Sequence, residues 1–511
     1  MKKYIQKVIG LGIIALFLMA TSCSDFLDQE PQGQWTAGDD KGGSLETDVF
    51  TLYAKIRGFS ITSGNTALAI HNFRSEDAEK GSTASDGSDH GAMYDDFQYN
   101  ASNGLIKSYY TDNYAMIHIA NNILDELAKM EKNGKLSDGD IINKGEAHFF
   151  RAFNYFNLVR AFGEVPYIDY KIANSAEAIL PKSPVSKIYE LIDNDLKIAE
   201  ECLPTSWDSR FIGRLTWGAA RSLHAKTYMM RNDWTNMYTA ATDVINSKIY
   251  SLDPDFSNIF RETGENNSES IFELQCTATA SLPASNDIGS QFAQVQGVKG
   301  AGTWDLGWGW HAPTQILADA FEAGDPRKDE TLLYFYKSQA EADAGVANKP
   351  WGEKPIAQAD VVNKYYNKKA YTNPTMRAQY TKSGFWVNIR MIRLADVILM
   401  AAESANELSK TDEALGYLED IRKRARGTNT AVLPKVTTTD QAKLREAIRY
   451  ERRIELAMEW DRFYDLVRWG IAKKVLHAAG KTGYQDRHEL LPLPQSEIDN
   501  SNGVLIQNPN Y

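Results

Sequence analysis

Cysteine is nearly absent from this chain of 511 residues, which has only Cys23, Cys202 and Cys276. Two cysteines beyond residue 23 are not a disulfide framework, and no Cys-x-x-Cys or Cys/His cluster has zinc-ligand spacing. Stability must therefore come from packing. An excess of positive charge is also missing. The formal net charge is −11, and it is more negative still without Lys2, Lys3 and Lys7. Such a balance argues against nucleic acid and against electrostatic docking on anionic lipid, and leaves neutral ligands or other proteins as partners. No apolar stretch after the first 22 residues is long enough to cross a bilayer. Catalytic signatures are missing as well. There is no G-x-S-x-G, no P-loop and no dinucleotide fingerprint, and the eight histidines do not fall in H-E-x-x-H. Their absence weighs against an enzyme.

What is present begins at the N-terminus. Lys2, Lys3 and Lys7 precede an apolar run from Val8 to Met19, and Ala20-Thr21-Ser22 leads into Cys23. A basic, then apolar, then small-residue leader ending at a cysteine reads as a bacterial lipoprotein signal. Residues 1–22 are expected to be removed and Cys23 acylated. Ala20 stands where a strict lipobox has Leu, and Ser22 where it has Gly or Ala. Several acyl chains on Cys23 would anchor the protein stably to a membrane. Residues 24–45, with Pro31, Gly33 and Gly42-Gly43, read as a flexible tether.

From residue 46 to 511 a single, mainly α-helical domain is expected. The chain is 43% hydrophobic and 11% aromatic, enough for a large core. Ile117, Ala120, Ile123 and Leu127 follow helical spacing. So do Ala147, Phe150, Phe153 and Phe156, in a helix that stops at Gly163, and Ile188, Leu191 and Asp195, before Pro204. Two segments share one pattern. Ala225, Tyr228, Trp234, Met237, Ala241 and Val244 match Ala402, Ala405, Thr411, Ala414, Leu418 and Ile421 in relative position. These are the small and large positions of tetratricopeptide helix pairs, where small residues let helices approach and large ones fill the gap. Residues 60–110 and 250–388 read as long irregular stretches, which in a compact domain usually carry function.

Several segments together resemble the SusD/RagB family of outer-membrane lipoproteins. They are Cys23-Ser24-Asp25-Phe26-Leu27-Asp28, the helix around Phe149-Phe150-Arg151-Ala152 with Phe162-Gly163-Glu164-Val165-Pro166, and Arg393-Leu394-Ala395-Asp396. Arg449-Tyr450-Glu451-Arg452-Arg453-Ile454-Glu455, Arg462-Phe463-Tyr464-Asp465, Leu491-Pro492-Leu493-Pro494 and the final Asn508-Pro509-Asn510-Tyr511 continue the match in order. The resemblance implies a cell-surface oligosaccharide-binding protein on tetratricopeptide-like pairs, facing the cell exterior. It would cap a SusC-like TonB-dependent transporter and pass it captured glycan.

A sugar ring offers an apolar face and a rim of hydroxyls, so its site needs flat aromatics beside carboxylates, amides or Arg. Trp304, Trp308 and Trp310 lie within seven residues, with Gly307 and Gly309 between them, and are candidate platforms. Trp310 adjoins an expected helix start at Pro313 and is the one most suited to the core. Tyr94, Arg74 and Asp96 in the 71–99 loop are the second set, Tyr94 for stacking and the other two for hydroxyls. Asp86, Asp89, Asp95 and Asp96 offer oxygen ligands of the kind calcium takes, without EF-hand spacing. Glu455, Glu459 and Arg462 fall at helical intervals and read as one face of an ion-pair network, rather than as a glycosidase acid/base pair. A peptide-capturing protein of the same family and a glycoside hydrolase are the alternatives.

Overall fold

The computed structural model describes residues 42–345, 350–354 and 356–511. The expected leader, Cys23 with its expected acylation, and the expected tether as far as residue 41 lie outside the described residues. The helices that carry the architecture are α1 (Glu46–Ile56), α2 (Gly104–Asn133), α3 (Asp138–Phe162), α4 (Val185–Cys202), α5 (Trp217–Met230) and α6 (Trp234–Asn246). After a long insertion come α7 (Leu394–Glu407), α8 (Thr411–Arg426), α9 (Gln441–Glu455) and α10 (Arg462–Arg468).

Local chemistry sets the ends of these helices. Ser137 and Asp140 form a reciprocal capping box at the start of α3, which satisfies two otherwise orphaned N–H groups. Gly163 ends α3 with φ 73°, and a Cβ there would lie 2.8 Å from the Leu490 side chain. Phe149, Phe150, Tyr155, Phe156 and Phe162 are all buried, so α3 is enclosed on every side.

The repeat frames fall on two helix hairpins. Arg231–Asp233 turns α5 into α6, and Leu408–Lys410 turns α7 into α8. Ala225, Ala241, Ala402, Ala405 and Ala414 are buried where the paired helices cross, and Met237 and Leu418 fill the space beside them. Helix α7 packs against both α8 and α6, which stacks one hairpin on the other in the tetratricopeptide manner. The protein is thus mainly α-helical, as the periodicity predicts.

The stretches expected to be irregular are more ordered than their composition suggests. Phe59–Ser63, Asn65–Leu68 and Ala69–Phe73 are consecutive helical turns, and Ile61, Ala67, Leu68, Ile70 and Phe73 are buried in the main core. Gly64 lets the backbone pass the Phe59 ring, because a Cβ there would stand 2.4 Å from it. Among the described residues six short strands follow: β1 (Ala78–Gly81), β2 (Ser270–Leu274), β3 (Trp310–Pro313), β4 (Leu332–Tyr334), β5 (Tyr365–Asn367) and β6 (Ile389–Arg393). They pair antiparallel as β1–β3, β2–β6 and β4–β5. The helix expected at Pro313 starts at Gln315, with the Thr314 side chain as its cap.

Buried ion pairs join the insertion to the helices. Glu455 accepts from Arg393 at 2.6 Å, from Arg327 at 3.0 Å and from Arg424. Arg393 also pairs with Glu269 and Glu459 at 2.8 Å each, and Arg327 with Asp325 and Glu451. A neighbouring cluster holds Lys226 and Arg452 between Asp396, Asp461 and Asp465. The ion-pair reading of the C-terminal charges therefore stands, but their common helix face does not. Helix α9 ends at Glu455, Met458 takes φ 65°, and Arg462 opens α10 and reaches Glu76. A buried carboxylate held by three guanidinium groups is a strut, not an acid/base catalyst.

Burial opposes the charge on Glu455, but Arg424, Arg393 and Arg327 outweigh it and hold the carboxyl well below the usual range. A depressed folded-state pKa adds stability that is present above the unfolded value of about 4.3 and is lost as pH falls below it. Glu455→Gln should cost about 3–5 kcal/mol at neutral pH, because it leaves buried guanidinium groups short of a partner. Chemical denaturation should also show a shallower loss of stability from pH 5 to pH 3 in this variant than in the unsubstituted protein.

Candidate functional site

The loop from 302 to 309 is tied to the chain before it through the backbone. Leu306 and Gly307 N–H donate to the Val298 carbonyl, Trp308 N–H to Gln294 and Gly309 N–H to Gly297. A Cβ on Gly307 would lie 2.2 Å from the Gln294 oxygen, so only glycine permits this approach. The three tryptophans consequently have fixed and different surroundings.

Trp304 is a core residue, which corrects its expected role as a platform. It meets the Phe335 ring edge-on at 5.1 Å and packs with Leu333, Tyr366 and Tyr371. Trp310 is buried too, in agreement with its place beside the following helix. Its indole N–H donates to Asp86, and Gly87 and Gly91 press on its six-membered ring. Trp308 differs. It is half-buried, and its ring stands 6.2 Å from the half-buried Phe59.

The second candidate set folds inward. Tyr94 is fully buried, donates to Asn103 at 3.2 Å and packs 4.7 Å from Tyr99. Arg74 is fully buried over the Phe463 ring at 4.0 Å. Neither can meet a ligand from solvent. Asp96 is half-buried, and its carboxylate accepts the Gly483 N–H at 2.7 Å. The reason is tertiary: α10 and the 481–488 segment cover this loop, which composition alone reads as solvated.

The aspartates of the loop do not converge on a cation. Asp86 is taken by Ser82, Lys299 and Trp310, Asp89 by His90, and Asp95 by the Lys80 N–H. Among the described residues no three acidic, His or Cys side chains form a metal-sized group. The residues present do not fit calcium.

Around Trp308 the surface has what a sugar needs, from residues that periodicity did not single out. Phe59 is a half-buried aromatic beside it, and Phe292, also half-buried, stands 6.0 Å from the Trp460 ring. Gln291 donates to Gln294 at 3.0 Å, and Gln294 donates to the Ser383 hydroxyl at 3.2 Å. Asp305, three residues before Trp308, pairs with Lys382 at 2.5 Å. Gln291, Gln294 and Ser383 are thus ordered by one another, and the Gln294 carbonyl ties them to the Trp308 main chain. The sequence signal for them is weak, a Phe-x-Gln spacing in a region with no repeat. Two interior cavities lined by Lys226, Trp460 and Asp461 measure about 20 and 30 Å³. Each has room for about one water and none for a sugar ring.

Known proteins resemble this chain along most of its length. The SusD family matches residues 268–511, and a SusD-like family described as starch-binding and associating with the outer membrane matches residues 25–229. The chain belongs to the SusD/RagB family. A SusD-like protein of Formosa agariphila is 28% identical along the full length of both chains. One from Bacteroides ovatus is 23% identical over 90% of this chain and 82% of its own. Among solved structures, a laminarin-binding SusD-like protein superposes with a TM-score of 0.73 at 25% identity, covering 92% of this chain and 100% of the other. Surface glycan-binding protein A of Bacteroides fluxus gives the same score and identity over 92% and 99%. SusD-family proteins bind and do not catalyse. The hydrolase alternative is thereby set aside.

Core and surface roles separate in stability. Trp304→Ala should cost about 3–5 kcal/mol of unfolding free energy. Trp308→Ala should cost about 1 kcal/mol. Denaturant titration of the two variants checks the assignment.

Proposed function

We propose that this protein is a lipid-anchored receptor of the outer membrane that captures oligosaccharide from the cell exterior on the face carrying Phe59, Phe292 and Trp308. It then hands the glycan to a SusC-like TonB-dependent transporter. The half-buried Trp308 ring is the observation that carries the reading. The Gln294 carbonyl and Gly307 fix its main chain, and the Gln294 side chain links onward to Gln291 and Ser383. The Cys23 leader supports the anchor, and the laminarin-binding relative supports a glucan as the first ligand to try.

The mechanism is reversible capture. A sugar's C–H face covers the exposed part of the ring, and its hydroxyls exchange water for amide and carboxylate partners. The partners are already held by one another, so little side-chain entropy is lost on binding. Affinity on the order of micromolar to millimolar, about 4–8 kcal/mol, suits release to a transporter. Trp304 and Trp310 hold the two ends of the same loop in the core, and Tyr94 and Arg74 are core residues elsewhere. Asp96 fastens the 481–488 segment.

Calorimetric titration of residues 24–511 with laminarin-type and other oligosaccharides tests the reading. Heat of binding should be present in the unsubstituted protein and at least about tenfold weaker in affinity, about 1.4 kcal/mol, in Trp308→Ala. Binding should change little between 0.05 and 0.5 M salt, because stacking on a neutral sugar is not screened. The net charge of −11 makes the peptide reading the competitor. Salt-sensitive binding of basic peptides, with no heat from any glycan, would decide for it.

A further inference from the structure

Four arginines are among the largest fully buried side chains: Arg74, Arg327, Arg393 and Arg452. Three of them are surrounded by carboxylates. Arg327 meets Asp325, Glu451 and Glu455; Arg393 meets Glu269, Glu455 and Glu459; Arg452 meets Asp396, Asp461 and Asp465. Arg74 is different. Its Nε–H donates to the Ile70 carbonyl at 2.8 Å, and its guanidinium lies over Phe463. Both Nη1 and Nη2 are buried without a hydrogen-bond partner. No ion pair to Arg74 exists among the described residues. An uncompensated charge in such a place is far more costly than an unpaired amide.

The groups around it are neutral, and each can donate. The buried Tyr99 hydroxyl interacts with Arg74 and with the Tyr511 hydroxyl without a well-formed hydrogen bond, and the Tyr464 hydroxyl is buried without a partner, its ring centre 5.8 Å from the guanidinium carbon. Burial raises the Tyr99 pKa and the Arg74 charge draws it back down, so the two groups are in electrostatic reach. The His488 ring lies 5.6 Å from that of Tyr99. His488 Nδ1 accepts the Gln485 N–H at 2.9 Å, which leaves the proton on Nε2, itself buried and unpaired. Burial together with Arg487 and Arg74 lowers the His488 pKa to about 4, so the ring is neutral at pH 7. Guanidinium has no acceptor, and phenols and an imidazole N–H can donate. A bound water could accept from these groups but would leave the positive charge unbalanced.

We propose that Arg74 Nη1 and Nη2, with the Tyr99 hydroxyl, hold a small monovalent anion of the halide class, chloride under ordinary conditions. Tyr464 and His488 Nε2 border it as further donors. The ion neutralises Arg74 and fastens the 74–99 segment to α10 and to the C-terminal segment around His488. It lies in the core, apart from the Trp308 face, and does not depend on the glycan reading.

Crystals of the intact lipid-free protein soaked in sodium bromide, with anomalous diffraction at the bromine edge, test this. Thermal unfolding in sodium chloride against sodium gluconate at equal ionic strength accompanies it. A bromide peak in contact with Arg74 Nη1 and Nη2, and melting a few degrees higher in chloride, are expected. Arg74→Met should melt alike in the two salts. If that variant does not fold, Tyr99→Phe should still shrink the chloride effect. A water in place of bromide, or equal melting of the unsubstituted protein in both salts, overturns the proposal.

Discussion

The ion cluster centred on Glu455 is the constraint on which this architecture depends. One carboxylate at the end of α9 meets Arg393 from β6, Arg424 from α8 and Arg327 from the long insertion. Four remote stretches of chain are thereby fixed at one point. A cluster so deeply buried adds little net stability over an apolar core of the same shape, but removal of any partner strands a charge. It therefore specifies how the pieces fit. The hydrophobic packing of the helix hairpins supplies most of the stability, while the charges fix the insertion's register on them.

That division explains how an insertion of irregular sequence can present an ordered face. Strand β6 runs directly into α7 and pairs with β2, so the insertion's base is continuous with the repeat scaffold. Trp304 plugs a small satellite core with Phe335 and Tyr371. The same loop then carries Trp308 outward, pinned by the main-chain bonds to Gln294 and Gly297. A binding face on such a support needs no large closure to become complementary, which suits a protein that must release what it captures.

Much of the helical scaffold was legible in the sequence. The two six-position frames fell on the two hairpins, because small residues at helix crossings leave a pattern that is local to each pair. Gly163 and Pro204 marked helix ends for the same local reason. The turns from 59 to 73 were not legible, since Ser60, Thr62, Ser63, Asn65 and Thr66 there are buried in the core rather than facing water. Glu455 and Glu459 kept helical spacing across a break at Met458 that periodicity cannot register. The candidate site was half legible. A tryptophan-rich loop was visible, but which ring is half-exposed depends on Phe335, Phe59 and Asp86, residues far away in the chain. Tyr94 and Arg74 were misplaced because α10 covers them, and nothing near them in the sequence announces it.

The most direct measurement of the central claim is a crystal structure of the lipid-free protein with a bound oligosaccharide. The account predicts a sugar ring lying flat on Trp308, hydroxyls directed at Gln291, Gln294 or Ser383, and an unshifted Glu455 cluster beneath. A sugar bound on another face, with the Trp308 ring left in solvent, would contradict it.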